Sequence, residues 1–154
     1  MHSDGTAEAL ALIEKCVGRH VTAVRRVRYV HRGAVLEEHG IVEFTFDDGQ
    51  VRCLDAGHDG ERLTVRDGRW VDPFAEPLSD ENREFVRVSG KWTAFEIDER
   101  DELWQVVGEV LEDVEPLWQF GHTLVGVGLT FGRLSLVAKV VADTLRLTWE
   151  TAAQ

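Results

Sequence analysis

Between Asp55 and Glu61 the chain gathers three carboxylates (Asp55, Asp59, Glu61) and the His58 imidazole around a glycine-rich turn, its densest collection of metal-ligating and acid–base groups. Chemistry there requires a matching pattern. Calcium loops place oxygen ligands at alternating positions around a central glycine, and zinc sites use fixed His/Cys spacings; neither is present. Asp and Gly favour turns for backbone reasons alone, so the stretch reads as a solvated hairpin turn. The run Gly126-Val127-Gly128-Leu129-Thr130-Phe131-Gly132 invites a phosphate-loop reading. Its GxGxxxG spacing and the absence of a Walker lysine point instead to glycines flattening a packed strand. Ser79, Ser89 and Ser135 lie in no GxSxG elbow, and Cys16 and Cys53 have no recognisable histidine companion. No catalytic residue, metal or cofactor is therefore nominated.

The elements that would position any site are mostly strands. Leu10, Ile13 and Val17 recur at helical spacing over residues 7–17, with Thr6 or Ser3 as candidate caps and Gly18 as a stop. Residues 19–30 are rich in Val, Thr and Tyr and favour a long strand, yet Val21, Val24, Val27 and Val30 recur every third residue, which predicts a bulge or a helical turn. The clearest hairpin alternates Val42, Phe44 and Phe46, turns at Asp47-Asp48-Gly49 and resumes at Val51. Another strand follows at 63–65, and Ser79-Asp80-Glu81 starts a short helix over 80–87. Strands are then expected at 91–97, 106–118, 122–131, 134–141 and 144–149.

A repeat underlies this order. At an offset of ninety residues, Val17-Gly18 matches Val107-Gly108, while Val21, Val24 and Val27 match Leu111, Val114 and Leu117. Further on, Val42–Phe46 matches Val127–Phe131, and Leu63 and Val65 match Leu145 and Leu147, with the differences absorbed in turns. The expectation is an α+β, predominantly antiparallel β fold. Two pseudo-repeated β-meander units, 17–66 and 106–148, are joined by 67–105, with an N-terminal helix and a short central helix. At 154 residues the chain is sized for a single domain, 1–154.

Charge narrows the function classes. Residues 36–118 hold eight Lys/Arg against twenty-three Asp/Glu, and the whole chain carries a net charge of −11. A field of that sign repels phosphate backbones and anionic lipid, so neither nucleic acid nor membrane is expected as a partner, and a basic protein is. The basic stretch Arg19, His20, Arg25, Arg26, Arg28, His31 and Arg32 is expected to pair internally with Glu37, Glu38 and Glu43. No apolar run is long enough to cross a bilayer, the first residues lack signal-peptide character, and two cysteines outside a CxxC spacing suit a reducing compartment, so the protein is read as cytoplasmic.

Two functional expectations follow. One is a non-catalytic interaction module, analogous in class to bacterial immunity proteins that neutralise basic toxins, presenting Glu96, Asp98, Glu99, Asp101, Glu102, Trp104, Glu112, Asp113 and Glu115 to a basic partner. The alternative is a small-ligand-binding or enzymatic domain with a pocket between the halves, lined by His58, Trp70 and Trp92. A deep apolar cleft with converging polar groups favours the second, a broad acidic face the first.

Overall fold

Val42, Phe44 and Phe46 point one way from their strand and Glu43 the other, and this alternation decides how the chain layers. In the computed structural model, which describes residues 5–37, 39–57 and 60–151, the order is α1 (Thr6–Glu14), β1 (Val21–His31), β2 (Ala34–Glu37), β3 (Val42–Phe46), β4 (Val51–Ala56) and β5 (Leu63–Asp67). Then come α2 (Asp80–Ser89), β6 (Lys91–Glu96), a 3₁₀ helix (Glu102–Val106), β7 (Asp113–Gln119), β8 (Thr123–Phe131), β9 (Leu134–Val141) and β10 (Thr144–Thr151). The fold is α+β and mostly strand. Its first antiparallel sheet runs β2-β1-β3-β4-β5 with β6 on the free edge of β1; the second is the meander β10-β9-β8-β7.

The core lies between the sheets. Val24, Phe44 and Leu54 of the first pack in one cluster with Leu129, Phe131 and Leu136 of the second, and α1 closes it with Ala9 and Ile13. Fully burying a side chain of this size contributes about 1.5–3 kcal/mol, so this shared cluster is the main adhesive between the meanders. Helix α1 is also tied by Arg52, a buried arginine whose Nε donates to the Leu12 carbonyl (2.8 Å) while its Nη1 meets Asp67 (2.8 Å).

The three-residue spacing along β1 has a physical explanation. Register shifts between Val21 and Ala23, so a bulge puts Val21 and Val24 both into the core. Val27 then falls on the opposite face, outside the core cluster but buried, because this part of the sheet is covered on both sides. The turn at Gly49 takes φ 88°, the left-handed conformation that closes the expected hairpin.

At the start of each meander the correspondence extends to hydrogen bonds. Gly18 donates to the Leu111 carbonyl (2.8 Å) and Gly108 to that of Val21 (2.7 Å); Val21 donates to Glu109 (2.9 Å) and Leu111 to Arg19 (3.0 Å). Moving one partner ninety residues forward and the other ninety back converts each bond into its mate, with His20 facing Val110 across the centre. Gly18 and Gly108 share the same left-handed backbone, φ 92° and 91°. Ile13 and Leu103, also ninety apart, are both core residues.

Several expectations need correction. Residues 106–118 are not one strand: the 3₁₀ helix ends at Val106 and β7 starts only at Asp113, because Leu103 and Val106 are drawn into the core ahead of the strand. Gly5 is the N-cap of α1, without a side-chain cap bond, and Thr6 is its first residue; Ser3 lies outside the described residues. Helix α2 runs two residues further than expected, to Ser89, with Ser79 capping its start by accepting from the Asn82 amide (3.1 Å).

Candidate ligand cavity

The site grows from one buried carboxylate. Glu43 sits between Arg25 on β1 and Cys53 on β4, on the face of the first sheet opposite the core. A carboxylate only 1% exposed must be fully hydrogen-bonded. It accepts from Arg25 Nε (2.7 Å) and Nη2 (2.6 Å) and from the Trp70 backbone amide (2.7 Å), while Arg25 Nη2 also donates to the Trp70 carbonyl (3.0 Å). Burial pushes the Glu43 carboxyl up, but the Arg25 guanidinium and the Trp70 amide outweigh it and hold the pKa below the ordinary carboxylate range. The neighbouring Cys53 thiol is pushed up to about 11, by burial first and by the Glu43 charge second. This cluster anchors the start of the connection between the halves onto the sheet.

From Trp70 the connection arches away and returns through α2. Phe74 stacks on Phe85 of α2, ring centres 5.5 Å apart. The Lys91 ammonium donates to Asp72 (2.6 Å) and to the Phe74 carbonyl (3.2 Å), and the Tyr29 hydroxyl donates to the Ser89 carbonyl. Beneath the arch lies a cavity of about 500 Å³. Tyr29 and Trp92, in edge-to-face contact at 5.3 Å, form its floor with Ile41, and Trp70, Phe74 and Phe85 come from the arch. Asp55 of β4 lines it, and the second meander contributes Asp143 and Leu145 from the β9–β10 hairpin. Gly40 permits the floor: a methyl group there would collide with the Val27 carbonyl oxygen and press on the Trp92 ring.

His39 is the polar feature without a match. Its Nδ1 is buried and has no hydrogen-bond partner among the described residues, and the residue lines the cavity. A buried polar atom left unsatisfied costs about 1–3 kcal/mol.

The sequence-derived candidates are distributed unevenly. Trp70 and Trp92 come together in the cavity; His58 lies outside the described residues, as does Asp59. On the acidic side, Asp101 is withdrawn into the structure. Its side chain is 9% exposed, bonded to Arg26 (3.3 Å) and Arg28 (3.0 Å), and caps the 3₁₀ helix through the Leu103 amide (2.9 Å). Asp98 is exposed and paired with Arg100 at 2.7 Å, and Glu96 lies opposite Arg25 in the β1–β6 ladder. Glu99, Glu102, Glu112, Asp113 and Glu115 are exposed and form no ion pair among the described residues, and Trp104 is exposed beside them in sequence. Five members of the basic stretch pair internally, whereas His31 meets the Arg87 carbonyl (3.2 Å), Arg32 forms no ion pair among the described residues, and Glu37 accepts from the His39 amide instead. Arg25 meets Glu43 as expected, but Arg19 and His20 meet Asp48 and Asp47, and Arg26 and Arg28 meet Asp101; Glu38 lies outside the described residues.

Sequence reasoning missed Tyr29, His39, Phe74, Phe85 and Asp143. No local signal marks them, since these residues come together through pairing distant in sequence. No group of three or more metal-ligating side chains occurs among the described residues. No helix there is long and apolar enough to cross a membrane. Comparison with protein-family models, with curated proteins and with solved structures found no match for this chain.

Proposed function

We propose that this protein binds a small, largely apolar molecule in the cavity under the 69–91 arch. The observation that carries the reading is the cavity itself, about 500 Å³ with aromatic walls and with Asp55, Asp143, Lys91 and His39 among its lining residues. Ligand sites typically enclose roughly 300–1,000 Å³, are mostly apolar, and hold a few polar groups that fix orientation. A neutral probe whose fluorescence rises in apolar surroundings, N-phenyl-1-naphthylamine, tests it. Binding is expected to be lost in Ile41→Trp, which fills the cavity, and kept in Trp118→Ala, which removes an exposed ring that does not line it. Probe binding that survives Ile41→Trp, or that depends on Trp118, sinks the proposal.

A second reading keeps the acidic surface as a site for a basic protein. It is favoured by Trp104 and Trp118, each 46% exposed, in a region whose carboxylates at 99, 102, 112, 113 and 115 have no internal partner among the described residues. Capture of a basic protein that weakens steeply with salt, and is lost in Trp104→Ala, supports this reading; capture indifferent to salt removes it. Two free, buried cysteines suit a reducing compartment, and we place the protein in the cytoplasm on that ground. The symmetric hydrogen bonds likewise support reading 1–154 as one domain made from two copies of a unit, 17–66 and 106–148, which superposition of the halves tests.

A further inference from the structure

We infer, building on the ligand-binding reading above, that the cavity selects a cation on an apolar frame, an aryl- or alkylamine or a quaternary ammonium. Its walls expose aromatic rings from three separate segments: Tyr29 on β1, Trp70 and Phe74 on the arch, and Trp92 on β6. The negative face of such rings attracts a cation within about 6 Å, and most strongly where water is excluded. Charge on the lining points the same way. The one ammonium there, Lys91, is neutralised by Asp72 at 2.6 Å and held by the Phe74 carbonyl, so it is not offered to an anion. Two carboxylates, Asp55 and Asp143, share the lining, and Asp143 forms no ion pair among the described residues. An anionic ligand would meet carboxylates and ring faces inside a molecule of net charge −11, whereas a cation gains from all three.

Three probes of similar shape separate charge from shape: 3-phenylpropylammonium, 3-phenylpropan-1-ol and 3-phenylpropionate, titrated into the full chain and followed by chemical shift. The cation is expected to bind at least about tenfold more tightly than the alcohol, with the carboxylate weakest. Asp143→Asn, which suits the left-handed turn at that position (φ 69°), should bring the cation close to the alcohol and leave the alcohol unchanged. If the alcohol or the carboxylate binds as tightly as the cation, and Ile41→Trp abolishes that binding, the cation inference is overturned while the cavity remains a ligand site. Equal cation affinity in Asp143→Asn overturns the role of that carboxylate. If none of the three binds, both the inference and the reading beneath it fall.

Discussion

Glu43→Gln is the sharpest perturbation of the framework that holds the cavity. In the native protein one carboxylate oxygen faces Arg25 Nε, and the other faces both Arg25 Nη2 and the Trp70 amide. Glutamine supplies one oxygen and one NH₂, so in either orientation a donor is turned against a donor. The Arg25 side chain, 18% exposed, is left without its counter-charge. Breaking a buried pair in this way costs about 3–5 kcal/mol. The partial exposure of Arg25 discounts that to about 3 kcal/mol, which for a chain of 154 residues lowers Tm by roughly 6–12 °C. The pH dependence has a definite sign. Because the folded-state pKa of Glu43 is depressed, its contribution is complete above the unfolded-state value of about 4.3 and fades as pH falls below it. Urea unfolding of both proteins at pH 7 and through the acid range should show a gap that narrows in acid. The double variant R25M/E43L removes the uncompensated charge but also strips the Trp70 amide and carbonyl of their partners, so it should recover only part of the loss. A loss below about 1 kcal/mol in Glu43→Gln, or a gap independent of pH, refutes the reasoning.

The remaining predictions follow from single observations. Asp101→Asn leaves Arg26 and Arg28 without their shared counter-charge and should cost about 2–4 kcal/mol in chemical unfolding, far more than neutralising an exposed carboxylate such as Glu99. Both thiols should resist Ellman's reagent at pH 8 in the native state and react fully in denaturant, since both are buried and Cys53 is pushed up to about 11. Gly126→Ala drives a methyl group into the Ala138 carbonyl and the Lys139 backbone across the β8–β9 ladder, for an expected loss of about 1–3 kcal/mol in thermal unfolding.

Local chemistry made much of this fold legible. The alternation at 42–46, the Asp-Gly turn and the acidic start of α2 each have a short-range cause, and each element formed where expected. The matched Val-Gly starts were visible as spacing, although the reason for the spacing, a bulge followed by a change of face, depends on which surfaces are covered. The 3₁₀ helix was hidden because Leu103 and Val106 are apolar enough for a strand, and only their burial in the shared core decides otherwise. Asp101 illustrates the limit for sites. It belongs to an acidic run that looks uniformly solvated, yet two arginines from β1 draw it inward. Trp70 and Trp92 were legible as candidates, whereas His39 and Asp143 acquire meaning only from long-range pairing.

The two sheets also explain why the aromatic cavity lies on the first of them. On the first sheet, the face away from the core carries Arg25, Glu43 and Cys53, and their hydrogen bonds hold Trp70 and hence the start of the arch. The corresponding face of the second sheet presents Glu115 opposite Gly128, and Gly126 opposite Lys139. Among the described residues that face has no buried carboxylate to anchor a covering segment, and two glycines leave its centre without side chains to build a wall. The connection after β5 supplies the arch, α2 and β6, the last of which joins the first sheet beside β1. The cavity is therefore built where the two sheets differ. A graft of Glu43 and Arg25 equivalents onto β8 and β7 would still lack a cavity, because the second sheet has no arch for them to hold.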